Sequence, residues 1–175
     1  MRKLAIATAC LLFAAPALAQ SVSEKTGVNS VLDVTPSTPD FVKEVALSDM
    51  FEIQSSQLAV EKGDAPTKAF AAQMITDHKK TSSELSGLVS AGTVKASLPT
   101  QLDSSHQSKL DKLKNLSGDD FNKEYQDDQV SAHKSAVSAF QRYAKGGDDA
   151  ALKDWAGKTV PTLSHHLDMA QHLKK

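Results

Sequence analysis

The chain has 175 residues, with 20 basic and 21 acidic side chains, a formal net charge of −1 at pH 7 and a single cysteine. That near-neutral balance argues against nucleic acid or an anionic membrane as a partner. The length suits one ordinary domain that buries a core without disulfides.

Arg2 and Lys3, the apolar run from Leu4 to Phe13 and the triplet Ala17-Leu18-Ala19 read as a secretory signal peptide over residues 1–19, cleaved after Ala19. The run is too short and wrongly flanked for a membrane span, so an integral membrane protein is not expected. Cys10 comes early within the apolar run, which disfavours lipid attachment. Once it leaves with the signal peptide, the mature chain of about 156 residues has no thiol for a disulfide, a thiolate metal site or a nucleophile. A short exported segment of this kind points to the periplasm of a Gram-negative cell. Residues 20–39, with Ser, Thr, Asn, Gly and two prolines, read as a flexible leader, and residues 40–175 as the folded domain.

The first helix is expected from Phe41 to Lys62, after Thr38-Pro39-Asp40 and before the break at Gly63-Asp64-Ala65-Pro66. Glu52 falls on its apolar side between Phe41, Val45 and Ala59, whereas Glu44, Asp49, Glu61 and Lys62 fall mainly on other faces. The second helix, Thr67 to Ser90, carries Phe70, Ala71, Met74, Thr81, Leu85, Leu88 and Val89 in one stripe, with His78 near its centre. Its neighbour Asp77 lies at the stripe's edge, placed to accept a hydrogen bond or balance charge. The short turn makes the two helices antiparallel. Counted from its centre, Glu52 and His78 stand at nearly the same height.

After Gly92 and a connection to about Asp103, the spacing of Leu102, His106, Leu110 and Leu113 predicts a short helix from Ser104 to Leu116 over one end of the molecule, with His106 structural or exposed. A long helix follows to Ala144, capped by Asp119 or Asp120. Its apolar side holds Phe121, Tyr125, Gln129, Ala132, Ala136, Val137, Phe140 and Tyr143, and His133 lies within that arc. Gly146-Gly147 and an Asp148-Asp149 cap lead into the last helix, where Leu152, Trp155, Ala156, Val160, Leu163, Leu167, Ala170 and Leu173 turn inward with His166, while His165 and His172 point elsewhere. Pro161 should bend this helix near Gly157.

Four long amphipathic helices with short outer connections and a longer middle one predict an all-α, ferritin-like antiparallel four-helix bundle with a short extra helix in the middle connection. The stretches M-I-T-D-H (Met74 to His78), F-N-K-E-Y (Phe121 to Tyr125), Q-V-S-A-H (Gln129 to His133) and V-P-T-L-S-H-H-L (Val160 to Leu167) resemble the bacterial exported family called domain of unknown function 4142. The resemblance runs from about Asp40 to Leu173. It implies a ferritin-like bundle in the periplasm or cell envelope, and carries the family's Asp-His pair onto Asp77 and His78 and its later histidines onto His133 and His166. It implies no biochemical role.

One glutamate and three histidines, Glu52, His78, His133 and His166, are a plausible ligand set for zinc, copper or iron, with Asp77 and Tyr125 as supporting residues. No organic cofactor is expected. The two Glu-x-x-His repeats of di-iron ferritins are missing, because Ile75, Val130 and Leu163 stand three residues before the histidines, which argues against iron storage. Counted from the turn near Gly146, His166 is about five residues farther along its helix than His133, or roughly 7 Å. That offset favours a competing account in which each histidine is satisfied separately. The two functional classes are therefore a periplasmic metal-binding bundle, serving sequestration, delivery or stress protection, and a metal-free envelope or stress-associated interaction protein. No nucleophile elbow or phosphate loop marks an enzyme.

Overall fold

The structure is a computed structural model that describes residues 34–173. The expected signal peptide and most of the expected leader lie outside the described residues. Five helices and no strands occur among the described residues: α1 (Thr38–Lys62), α2 (Ala65–Ser90), α3 (Ser104–Lys114), α4 (Gly118–Gly146) and α5 (Ala150–His172).

Local chemistry sets their ends. Helix α1 begins at Thr38, three residues ahead of the expected start, capped by Ser37, and Pro39 sits in the first turn, where a missing N–H costs nothing. The chain just before it is already docked, since the Val34 carbonyl accepts from Arg142 and the Thr35 hydroxyl donates to the Arg142 carbonyl. Asp64 accepts from the Thr67 amide at 2.9 Å and Asp149 from the Leu152 amide at 2.9 Å, capping α2 and α5. At α4 the expected aspartate cap is replaced by Ser117; Asp119 and Asp120 occupy the first turn, where their charge complements the helix dipole. Gly92, at φ 70°, adopts the left-handed conformation that ends α2. Helix α5 runs through Pro161 without a break.

The pairing follows from these connections. Helix α1 packs most extensively on α2, and α4 on α5; α1 also meets α4, and α2 meets α5. Asp49 lies against His78, Ser56 against Tyr125, and Gln126 against Ala170, so α1 runs antiparallel to both α2 and α4, and α4 antiparallel to α5. Helices α2 and α4 are thus parallel, and the connection between them must travel the length of the molecule. Helix α3 lies in that connection. It packs along the flank of α1 and α4 rather than over one end, with Leu110 and Leu113 buried, Lys109 paired to Asp128 at 2.9 Å, and Lys62 donating to the carbonyls of Lys114 and Leu116.

Two apolar clusters fill the interior. One gathers Phe41, Val45, Leu85, Phe140, Tyr143, Leu152 and Leu163, with Phe41 stacked on Tyr143 at 4.2 Å between ring centroids. The other gathers Phe51, Phe70, Met74, Leu113, Phe121 and Tyr125. Along each of the four long helices a buried polar stretch falls where the residues of one cluster give way to those of the other: Asp49 and Glu52, either side of Phe51, on α1, His78 on α2, Gln129 and His133 on α4, His166 on α5. No helix among the described residues is long and apolar enough to cross a membrane.

Candidate metal centre

The polar layer is built from one or two turns of each long helix, and its rings meet at the centre. His78, His133 and His166 are 4%, 1% and 2% exposed. Their ring centroids form a near-equilateral triangle with edges of 5.5, 5.6 and 5.3 Å. One nitrogen from each ring lies within 4.8 Å of the others.

Hydrogen bonding decides which nitrogens face inward. His133 Nδ1 lies 2.9 Å from the carbonyl oxygen of Gln129, one turn earlier, which can only accept; Nδ1 therefore carries the proton and Nε2 a lone pair. His78 Nδ1 donates to Asp49 Oδ1 at 2.8 Å, and His166 Nε2 donates to Asp77 Oδ2 at 2.8 Å. Each ring thus spends one nitrogen on an outer acceptor and turns the other toward the middle. His78 Nε2 and His133 Nε2 face one another, and His166 Nδ1 is the nitrogen of its ring left without a hydrogen-bond partner among the described residues. His78 Nε2 and His133 Nε2 are 3.4 Å apart. Two neutral rings so bonded would set lone pair against lone pair, an arrangement that needs a proton or a cation between them.

Electrostatics agree with that picture. Burial works against a charged His78, but the bond to Asp49 and the negative charge of Glu52 outweigh it and hold the ring above its ordinary pKa. Burial and the neighbouring His78 push His133 down to about 3. His166 is also lowered, by burial first, against the pull of Asp77. One ring is thus inclined to hold a proton, and the other two to remain neutral donors.

Glu52 stands beside this triangle and couples electrically to His78. Its Oε2 accepts from Gln129 Nε2, while Oε1 is buried with no hydrogen-bond partner among the described residues; burial raises its carboxyl to about 7. His166 Nδ1 is likewise buried without a partner. Gln129 Oε1 is a third such atom, and three orphaned buried acceptors in one layer are uncommon and costly. The donor set suits a late first-row ion, since imidazole nitrogens bound tetrahedrally at about 2.0–2.1 Å stand about 3.4 Å apart. The His78–His133 spacing already matches that edge.

The sequence placed all three histidines inside, and they are. His166 meets His133 despite the counted offset for two physical reasons. The observed register, with Gln126 Nε2 donating to the Ala170 carbonyl, centres the α4/α5 turn nearer Asp148 and cuts the offset to about three residues, or roughly 4.5 Å. Helical side chains also lean toward their own N-terminus, which in antiparallel helices moves His133 away from the turn and His166 toward it. Asp77 Oδ2 accepts from His166 Nε2 and from Gln73 Nε2. Tyr125 is fully buried, but its hydroxyl bonds Ser56 at 2.8 Å rather than a ring nitrogen. His106 bonds Asp103 at its own helix start, and His165 and His172 are exposed.

Asp49 needs correcting. The wheel put it on an outer face, yet it is 4% exposed and accepts from His78, Thr81 and Ser82. Helix α1 touches three other helices, so it has two buried faces, one toward α2 and one toward α4. A single apolar stripe cannot describe it. The available signal was the count from the turn, since Asp49 stands as far before Gly63 as His78 stands after Asp64, within about one residue.

No curated protein and no solved structure matches this chain. A family sequence model described only as a domain of unknown function, DUF4142, matches residues 23–173. The chain belongs to that family.

Proposed function

We propose that this chain is an exported metal-binding protein of the periplasm, a ferritin-like four-helix bundle with α3 as an extra helix in the crossover. It holds one zinc, copper or iron ion through His78, His133 and His166, with Glu52 as the additional donor. Its service is sequestration, delivery or stress protection. The observation that carries this reading is the convergence of three buried imidazoles, each held by an outer acceptor: Asp49 for His78, the Gln129 carbonyl for His133 and Asp77 for His166. Such outer acceptors orient and strengthen imidazole ligands. Glu52 supports it further, because its orphaned Oε1 supplies the negative charge that three neutral imidazoles lack.

Loading with each ion separately tests this. An ion that binds the native state raises the melting temperature with its concentration. One equivalent per chain should saturate the shift, and His78→Ala should abolish it. Absence of any shift from zinc, copper or iron in the parent chain would sink the proposal and leave the metal-free interaction protein.

A further inference from the structure

The three histidines are almost wholly enclosed, so an ion must have a way in. Along the axis both directions are filled, by the Phe41–Tyr143 cluster on one side of the polar layer and the Phe70–Phe121–Tyr125 cluster on the other. Laterally, two depressions lie near the layer. One, of about 390 Å³, is lined by residues of α4 with Gln171 of α5 and touches none of the three histidines. The other, of about 340 Å³, lies chiefly between α1 and α4 beside the start of α3, and His78 and Asp49 are part of its wall. Ser131 and Ser135, both exposed, stand at its outer side, and Ser48 and Ala132 line it too.

We infer that the metal ion reaches the centre through this α1/α4 cleft, with the Asp49–His78 pair as the gate through which it is handed inward. The inference rests on the metal-binding reading above. The cleft exists because α4 carries short side chains at Ser131, Ala132 and Ser135 where it faces α1, so the two helices leave space instead of interlocking. Ser131 and Ser135 are exposed while Asp49 and His78 are buried, so on this side of the wall oxygen donors lead inward to a nitrogen donor; Glu44 and Asp103 line the cleft too, and its two cations are engaged, Lys109 with Asp128 and Arg142 with the Val34 carbonyl. Asp49 is a positioning residue in this scheme: its carboxylate holds the His78 ring at 2.8 Å, and the ion passes where that ring swings.

The test follows cobalt(II) alone into the full chain by the visible bands that histidine coordination produces, and out again into a chelator. Ser135→Leu fills the cleft from an exposed position, and Ala132→Leu, which lines this cleft and not the other depression, is a second filling variant should the first lose helical circular dichroism. Lys134→Leu, which faces the other depression, is the control. Filling a close-packed passage should slow uptake and release several-fold alike, with final occupancy unchanged, while Lys134→Leu keeps the parental rates. Parental rates in a folded cleft-filled variant, or equal slowing in Lys134→Leu, overturn the route but leave the metal centre standing. If the parent chain shows no bands beyond those of His133→Ala, the metal-binding reading falls and the route with it.

Discussion

The polar layer and the apolar cluster around Phe41 are buried to the same degree but are built on opposite terms. In the cluster every contact is satisfied: Phe41 is 1% exposed, stacks on Tyr143 and meets Phe140 edge-on at 5.0 Å. In the layer Glu52 is also 1% exposed, yet one of its oxygens, Gln129 Oε1 and His166 Nδ1 have no hydrogen-bond partner among the described residues. The cluster stabilises the fold whatever is bound. The layer burdens the unliganded fold, because packed apolar side chains would stabilise that space better than an incompletely paired polar set.

The sharpest break in this contrast is on the apolar side. Phe41→Ala should cost about 3–5 kcal/mol in denaturant unfolding, as expected for a fully buried aromatic, with or without added metal. Should added metal restore most of that loss, the two regions are not energetically distinct. The opposite behaviour is expected of Glu52→Gln. The carboxyl is raised by burial to about 7, so the folded state holds its proton more tightly than the unfolded chain. Its contribution is present below the unfolded value near 4.5 and is lost as pH rises through about 7. At pH 8 without metal, Glu52→Gln should therefore be more stable than the parent by on the order of 3 kcal/mol, a gain that vanishes near pH 4. His133 carries the reverse sign. Pushed down to about 3, it contributes stability that is present above its unfolded value near 6.5 and is lost as pH falls toward about 3. A pH-independent advantage for Glu52→Gln would mean that the carboxylate is not held in a dry site.

The same contrast explains what the sequence made legible. Helix positions followed from periodicity, because α2, α4 and α5 each bury a stripe that Phe70, Met74 and Leu85, or Phe121, Tyr125 and Phe140, mark plainly. The three histidines stood out as polar residues inside such stripes. Asp49 did not, because α1 is covered on two sides and an inward carboxylate facing α2 looks, on a one-stripe wheel, like a surface charge. Gln129 is expected on the apolar side of its helix; its carbonyl meets His133 one turn on in the same helix, but its amide bond to Glu52 depends on the register of α4 against α1. The path of α3 along α1 and α4 was also hidden. It follows from α2 and α4 being parallel, a relation between helices that no local spacing contains.

Asp49 offers a finer way to sharpen the comparison. Asp49→Asn keeps its size but gives His78 a weaker, neutral acceptor; it should cost about 1–3 kcal/mol of stability. Loss of such an outer acceptor should also weaken metal affinity about 10–100-fold, measured by competition with a chelator. An unchanged affinity would show that Asp49 serves packing alone.

The smallest effect belongs to the outer histidines and tests whether burial, rather than histidine content, makes the centre. His172 is exposed and its Nδ1 bonds the Asp168 carbonyl within its own helix turn at 2.7 Å, outside the cluster that His78, His133 and His166 form. His172→Ala should change stability by no more than about 0.5 kcal/mol. It should also leave metal stoichiometry and affinity as they were, in contrast with His133→Ala, which removes an inward lone pair and should reduce binding steeply. Equal losses in the two variants, read by titration calorimetry, would relocate binding to the surface and turn the buried triangle into three separately satisfied side chains.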